Sequence, residues 1–356
     1  MPARKQSRRP RNTDARAVGT RAVPAASMQV LRMTDGLALH QSLHVAAKLG
    51  IADLLKEGER TTPDLATALG VSADALYRVL RFLAGQGVFQ ESGGRRFVNS
   101  ALSECLRSDV PESVRSILVF RGRPYYFAAF GELLFSVETG QPAGEKVLGT
   151  GGFEYLRRHP QEGDIFDEAM SAISGLWAHA IAGAYDFGRW GSLMDVGGGN
   201  GSLLAAILRA HRDLRGVLVD QAHVLERLRH RDMGSPQVAS RLRVEPCDFF
   251  QAIPSGCRAL LMKNIIHDWD DARARQILLN CRRAVPDDGV VLLVEYRLGE
   301  ENVRSLGKAV DLAMLAVTGG RERTVEEHRR LLASRSLRLN RTIPCDEVMI
   351  LEALPV

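Results

Sequence analysis

Ser192-Leu-Met-Asp-Val-Gly-Gly-Gly-Asn-Gly-Ser-Leu-Leu204 is the stretch from which this chain of 356 residues is best read. A short apolar run, Leu193 to Val196, is interrupted by Gly197, Gly198, Gly199 and Gly201. Leu203, Leu204, Ile207 and Leu208 then recur at helical spacing. The order predicts a strand, a tight glycine turn and a helix. Glycine tolerates positive φ and lets the main chain approach a ligand closely. The helix start behind the turn offers unpaired N–H groups. A nucleotide-like cofactor is expected here, against the plainer reading of a purely structural turn.

Two details point away from a dinucleotide. That fingerprint needs its third glycine at position 202, where the chain has Ser202. The strand before the turn also carries an acid, Asp195, which suits a ligand with a positive amino group, such as S-adenosylmethionine. The next apolar run, Gly216-Val-Leu-Val-Asp220, ends in a second acid, 25 residues after Asp195. A carboxylate there can accept both hydroxyls of a ribose.

Further downstream, apolar runs and helical patterns alternate. Strands are expected at Leu193–Val196, Gly216–Asp220, Leu242–Glu245, Ala259–Met262 and Val290–Glu295. Helices are expected at His223–Arg231, Ala272–Ala284 and Val325–Ser334. The alternation implies an α/β domain with a parallel sheet, whose ligands sit beyond the carboxyl ends of the strands. That rule gathers Asp195, Asp220, Asp248, Lys263, His267 and Glu295 at one rim. His267, just past a strand end, is a candidate general base. Glu295 and Glu322 are candidates to hold its imidazole and stabilise the protonated form.

Upstream, Met28–Leu55 reads as helix. Thr62 is the expected cap of a helix with Pro63 in its first turn, and Gly70–Asp74 is a turn into a second helix. Val88–Val98 reads as a hairpin through Gly93-Gly94. Two short helices and a hairpin make a winged helix, a module that either binds DNA or pairs subunits. Residues 1–24 hold seven bases and one acid, so the remaining residues carry about −1 of the net +5. A body without positive charge lacks the attraction that dominates DNA affinity, so pairing is the preferred reading. Residues 111–185 are rich in aromatics on helical patterns, some of which are expected to line a substrate pocket.

The chain thus divides into a basic, disordered tail (1–24), a winged-helix dimerisation domain (25–110), a helical linker and pocket region (111–185) and the sheet domain (186–356). The longest apolar run is far short of a membrane span. Five cysteines, with no Cys-x-x-Cys spacing, suit free thiols in a cytoplasmic protein rather than disulfides or a metal site.

The glycine turn, Val219-Asp-Gln-Ala-His-Val224, Met262-Lys-Asn-Ile-Ile-His-Asp-Trp269, Glu295 and Gly319-Gly-Arg-Glu-Arg-Thr324 together resemble the small-molecule O-methyltransferases. The resemblance spans residues 28–356 and includes Phe153-Glu-Tyr155 and Phe166-Asp-Glu-Ala-Met170. It implies a Rossmann-like class I methyltransferase domain, an N-terminal winged-helix dimerisation domain, and S-adenosyl-L-methionine as cofactor. It further implies methyl transfer to a hydroxyl of an aromatic small molecule, in a homodimer, without metal, membrane or nucleic acid. By resemblance, Asp195, Gly197, Gly199 and Asp220 contact the methionyl and ribose parts, Asp248 and Phe249 flank the adenine, and Lys263 lies nearby. His267 matches the base, with Glu295 and Glu322 as partners. Phe153, Met170 and Trp177 fall where the acceptor pocket is lined. The chain departs from the family in Asp220-Gln-Ala, where Asp-Leu-Pro is common, and in a longer loop before Asp248. The same scaffold also supports N- or C-methylation and hydroxylation, and a ligand-sensing DNA regulator is the reading from another class.

Overall fold

The computed structural model describes residues 24–228 and 236–356. The expected tail, apart from Pro24, lies outside the described residues, as does the end of the helix expected over His223–Arg231.

The N-terminal part is helical with a small sheet. The expected helix over Met28–Leu55 forms as three, Ala25–Thr34, Gly36–Leu49 and Ile51–Leu54. Gly50, with φ of 67°, ends the second in the left-handed conformation that glycine adopts without steric cost. Strand β1 (Arg60–Thr61) leads into the helix Thr62–Leu69. Its cap is Thr61, one residue before the expected Thr62: the Thr61 hydroxyl accepts from the Asp64 N–H at 3.2 Å. Thr62 is diverted because its hydroxyl donates to the Arg95 carbonyl, tying the helix to the hairpin. The helix Ala73–Gly85, capped by Ser72, follows. The hairpin β2 (Phe89–Gly93) and β3 (Arg96–Asn99) completes the wing, with β3 between β1 and β2. Leu65, Leu76, Leu80, Leu83, Phe89 and Phe97 form its core.

The C-terminal part is a seven-stranded sheet. Its strands are β4 (Ser192–Val196), β5 (Arg215–Asp220), β6 (Leu242–Pro246), β7 (Ala259–Lys263), β8 (Val290–Tyr296), β9 (Leu337–Cys345) and β10 (Val348–Pro355), in the order β6-β5-β4-β7-β8-β10-β9. The first five are parallel; β10 pairs antiparallel with both β8 and β9. Successive side chains of a strand face opposite ways. Leu193 therefore enters the core under the helices Pro160–Ala184 and Ser202–Ala210, and Met194 enters the core under Asp271–Ala284 and Val325–Ala333. Covered on both faces, the central strands read as unbroken apolar runs. The chain leaves β4 for β5 on one side, and β7 lies on the other, so a crevice opens at the carboxyl end of β4.

Candidate active site

A cavity of about 600 Å³ lies at that crevice, between the sheet rim and the helices of residues 153–174. Its first wall begins with the glycine turn. Gly197, Gly199 and Gly201 have φ of 71°, 59° and 73°. A Cβ on Gly198 would lie 2.5 Å from Leu218 Cδ1 and 2.6 Å from the Asp195 carboxylate, so only glycine fits there. Asp220, at the end of β5, accepts from the Gly199 N–H at 2.9 Å and from the Gln221 N–H at 2.7 Å. Its carboxylate braces the turn, and the residue lines the cavity. Phe249 and Lys263 also line this space, with Lys263 Nζ 3.3 Å from Ser174 Oγ.

Two of the expected cofactor residues sit elsewhere. Asp195 lies beneath the turn, 2 % exposed, and its Oδ2 has no hydrogen-bond partner among the described residues. Burial, reinforced by the Asp220 charge, pushes its pKa up to about 7, against the pull of Lys263. Asp248 is exposed and outside the cavity lining; it accepts from the Phe250 N–H and the Gln251 amide, holding the turn that presents Phe249. Burial lowers the Lys263 pKa to about 8, with Glu295 and Asp195 opposing.

The second wall brings together three segments far apart in sequence. A 3₁₀ turn, Ile266–Asp268, follows β7 and buries His267 to 6 % exposure. His267 Nδ1 lies 2.5 Å from Glu322 Oε1 and 3.9 Å from Glu295 Oε2. Its Nε2 lies 3.6 Å from Asp268 Oδ1, and Asp268 lines the cavity, so His267 sits one layer behind that wall. Burial alone would lower the histidine pKa; the charges of Asp268, Glu322 and Glu295 outweigh it and raise the value to about 9. Burial raises Glu295 as well, opposed by the His267 charge. The three donor groups of His267, Glu295 and Glu322 lie within 4.8 Å of one another.

Backbone contacts fix this constellation. Glu295 Oε1 accepts from the Ile266 N–H, and the His267 carbonyl accepts from the Arg321 N–H at 2.8 Å. A Cβ on Gly320 would lie 2.0 Å from that carbonyl, which explains the second glycine of Gly319-Gly320. Arg323 is 1 % exposed and donates to Asp271 and to the carbonyls of Ile266 and Trp269. The Tyr296 ring stacks on the imidazole, with centroids 6.1 Å apart. Gly320 and Arg323 fall within the quoted Gly319–Thr324 motif but were given no role from sequence, and Tyr296, next to Glu295, was not singled out. Of the expected pocket residues, Phe153 and Met170 line the cavity, with Phe153 stacked on Trp269. Trp177 is outside the lining: it is buried in the core, edge-on to Tyr296 at 5.7 Å. Helical periodicity gave no means of telling that face of the helix from the one turned to the cavity.

With this geometry in view, known proteins make the comparison specific. Residues 130–337 match the O-methyltransferase domain and residues 31–109 the O-methyltransferase dimerisation domain. The chain belongs to the O-methyltransferase family. It is 40% identical over 336 residues to the phenazine O-methyltransferase PhzM of Lysobacter antibioticus, covering 94% of this chain and 98% of that protein. It superposes on the crystal structure of LaPhzM with a TM-score of 0.88 at 39% identity, over 94% of this chain and all of that one. It also matches the O-methyltransferase NcsB1 of neocarzinostatin biosynthesis, solved with S-adenosylmethionine and 2-hydroxy-5-methyl naphthoic acid (TM-score 0.79, 34% identity, 92% and 98% coverage). As an O-methyltransferase of this family, the protein uses S-adenosylmethionine as methyl donor and forms homodimers through its N-terminal domain. The residues fit that donor. A Cβ on Gly197 or Gly198 would collide with Ile265, or with Leu218 and Asp195, Asp220 lines the cavity beside the turn, and Asp195 below is a buried acid whose Oδ2 has no hydrogen-bond partner among the described residues. No helix of the described residues is long and apolar enough to cross a membrane.

Proposed function

We propose that the protein transfers a methyl group to a hydroxyl of a planar aromatic small molecule, with His267 as general base. The observation that carries this reading is the His267–Glu322 pair. One imidazole nitrogen is committed to a buried carboxylate at 2.5 Å, which leaves Nε2 as the nitrogen on the side of the cavity. S-adenosylmethionine supplies a methyl already activated by its positive sulfur. Asp220 would hold the ribose hydroxyls, Phe249 would cover the adenine, and Asp195 would act through the turn above it. Phe153, Met170 and Trp269 supply a flat apolar surface on the opposite side. Nε2 lies behind Asp268, so the acceptor hydroxyl must reach past that side chain to pass its proton there, while Glu322 and Glu295 stabilise the imidazolium that forms. Alignment of the reacting atoms contributes several kcal/mol, up to about 7–11 in ideal cases. The five free cysteines agree with a cytoplasmic setting.

The test is methyl transfer from labelled S-adenosylmethionine to 1,4-dihydroxy-2-naphthoic acid, a hydroxyphenazine and the matching aminophenazine. Label on oxygen in either hydroxylated compound supports the reading. Label only on the amine, or on ring carbon, overturns it in favour of N- or C-methylation on the same scaffold.

A further inference from the structure

A second cavity, of about 250 Å³, shares no lining residue with the first, and the methyl transfer makes no use of it. Three segments meet there. The helix Asp271–Ala284 brings Asp271 and Arg275, the loop before Thr324 brings Arg321 and Arg323, and the helix Val325–Ala333 brings Glu327 and Arg330. Four arginines against two acids leave an excess of two positive charges. Like charges gathered in one place repel, and a bound anion removes that cost.

The two acids do not use up the donors. Arg323 is buried and fully engaged with Asp271 and with the carbonyls of Ile266 and Trp269, so it supplies charge alone. Arg321 gives one nitrogen to Glu327 at 2.7 Å. Arg275 meets Asp271 only at 3.4 Å. The Arg330 guanidinium has no hydrogen bond or ion pair among the described residues. Guanidinium forks match the oxygens of phosphate in pairs. A phosphate monoester carries about −1.5 to −2 charges at pH 7, which suits the excess here.

We infer that this second cavity is a phosphate site: Arg275, Arg330 and the remaining N–H groups of Arg321 donate to a phosphate dianion, either free or in a monoester. The inference does not depend on the identity of the methyl acceptor. The site lies behind the turn that carries His267, because the Arg321 N–H donates to the His267 carbonyl and Arg323 holds the carbonyls on either side.

The test is calorimetry on the full-length protein saturated with S-adenosylhomocysteine. The probes are inorganic phosphate and glycerol 3-phosphate, with succinate as the dicarboxylate control, all at matched ionic strength. Saturable binding of a phosphate probe is expected, with a Kd of about 1 mM or tighter at low salt, weakening as chloride is added. Arg330→Gln and Arg275→Gln each remove one charged fork and should raise that Kd about tenfold or more, with S-adenosylhomocysteine affinity unchanged. Arg329→Gln removes the same charge from the same helix outside the cavity lining, and should bind phosphate as wild type does. Tighter binding of glycerol 3-phosphate supports the site and identifies an ester as its ligand; equal or tighter binding of inorganic phosphate supports it and identifies the free anion. Absence of saturable binding by either probe overturns the inference, as does an unchanged Kd in both cavity variants or an equal loss in Arg329→Gln. Succinate binding as tightly as the phosphates overturns the choice of phosphate.

Discussion

The cavity wall built on the glycine turn is mostly backbone, whereas the wall backed by His267, Glu295 and Glu322 is mostly side chain. Gly197 to Gly201 act through φ angles and the absence of Cβ atoms, with Asp220 as a brace. His267, Glu295 and Glu322 act through buried charge, each from a different segment. The glycine turn is contiguous in sequence, and at Gly198 it admits no side chain. The second wall is assembled by the sheet and is sensitive to charge. A single substitution should therefore disable one wall without the other.

The largest effect is expected from His267→Gln. Loss of a general base should lower kcat by roughly 10²–10⁴-fold. Calorimetry should find S-adenosylhomocysteine affinity unchanged, and a parallel loss of affinity would mean that the two walls are not separable. Next comes Asp220→Asn, which removes a charged acceptor worth about 1.5–3 kcal/mol. Cofactor affinity should fall by roughly 10–100-fold, while turnover at saturating cofactor stays within a few-fold of wild type.

A smaller effect sharpens the charge argument. Neighbouring carboxylates hold the His267 pKa at about 9, so the imidazole is mainly protonated at neutral pH. Only the neutral form accepts a proton, so kcat/KM should rise with pH and level off above about 9. Glu322→Gln removes the nearest negative charge and lowers that pKa, so the rise should move by about one unit or more to lower pH. A limb that stays in place would remove Glu322 as the controlling charge. Smallest of all is the effect of a chelator. His267, Glu295 and Glu322 are close enough together to attract a cation, yet the proposed chemistry uses a proton there. Dialysis against EDTA should leave turnover unchanged, and loss restored by a divalent metal would rewrite the second wall.

The same contrast explains what could be read in advance. Strand, turn, helix and the acid at Asp220 follow one another within 29 residues, so local pattern and glycine chemistry sufficed. His267 was recognisable just beyond a strand, Glu295 at a strand end and Glu322 in a loop. Their distances were not, because they depend on β7 lying beside β8 and on the path of the loop through Gly320. The hairpin β9–β10 escaped notice because β9 is a sheet edge with irregular burial, which blurs the two-residue alternation. Asp195 was legible as an acid in the strand before the turn, but not as one sealed under Gly198.

The helix Pro160–Ala184 has a consequence for how such enzymes diversify. Its earlier turns supply Met170 and Ser174 to the cavity, and its later turns anchor Trp177 and Ile181 in the core, where the helix packs on Ser202–Ala210. It also packs on Arg115–Arg121, which in turn packs on Gly36–Leu49 of the pairing domain. One rod thus spans the specificity surface, the catalytic scaffold and the subunit arm. Substitutions along its early turns therefore alter the cavity lining and those along its last turns alter the core, while its contact with Arg115–Arg121 ties both to the pairing domain.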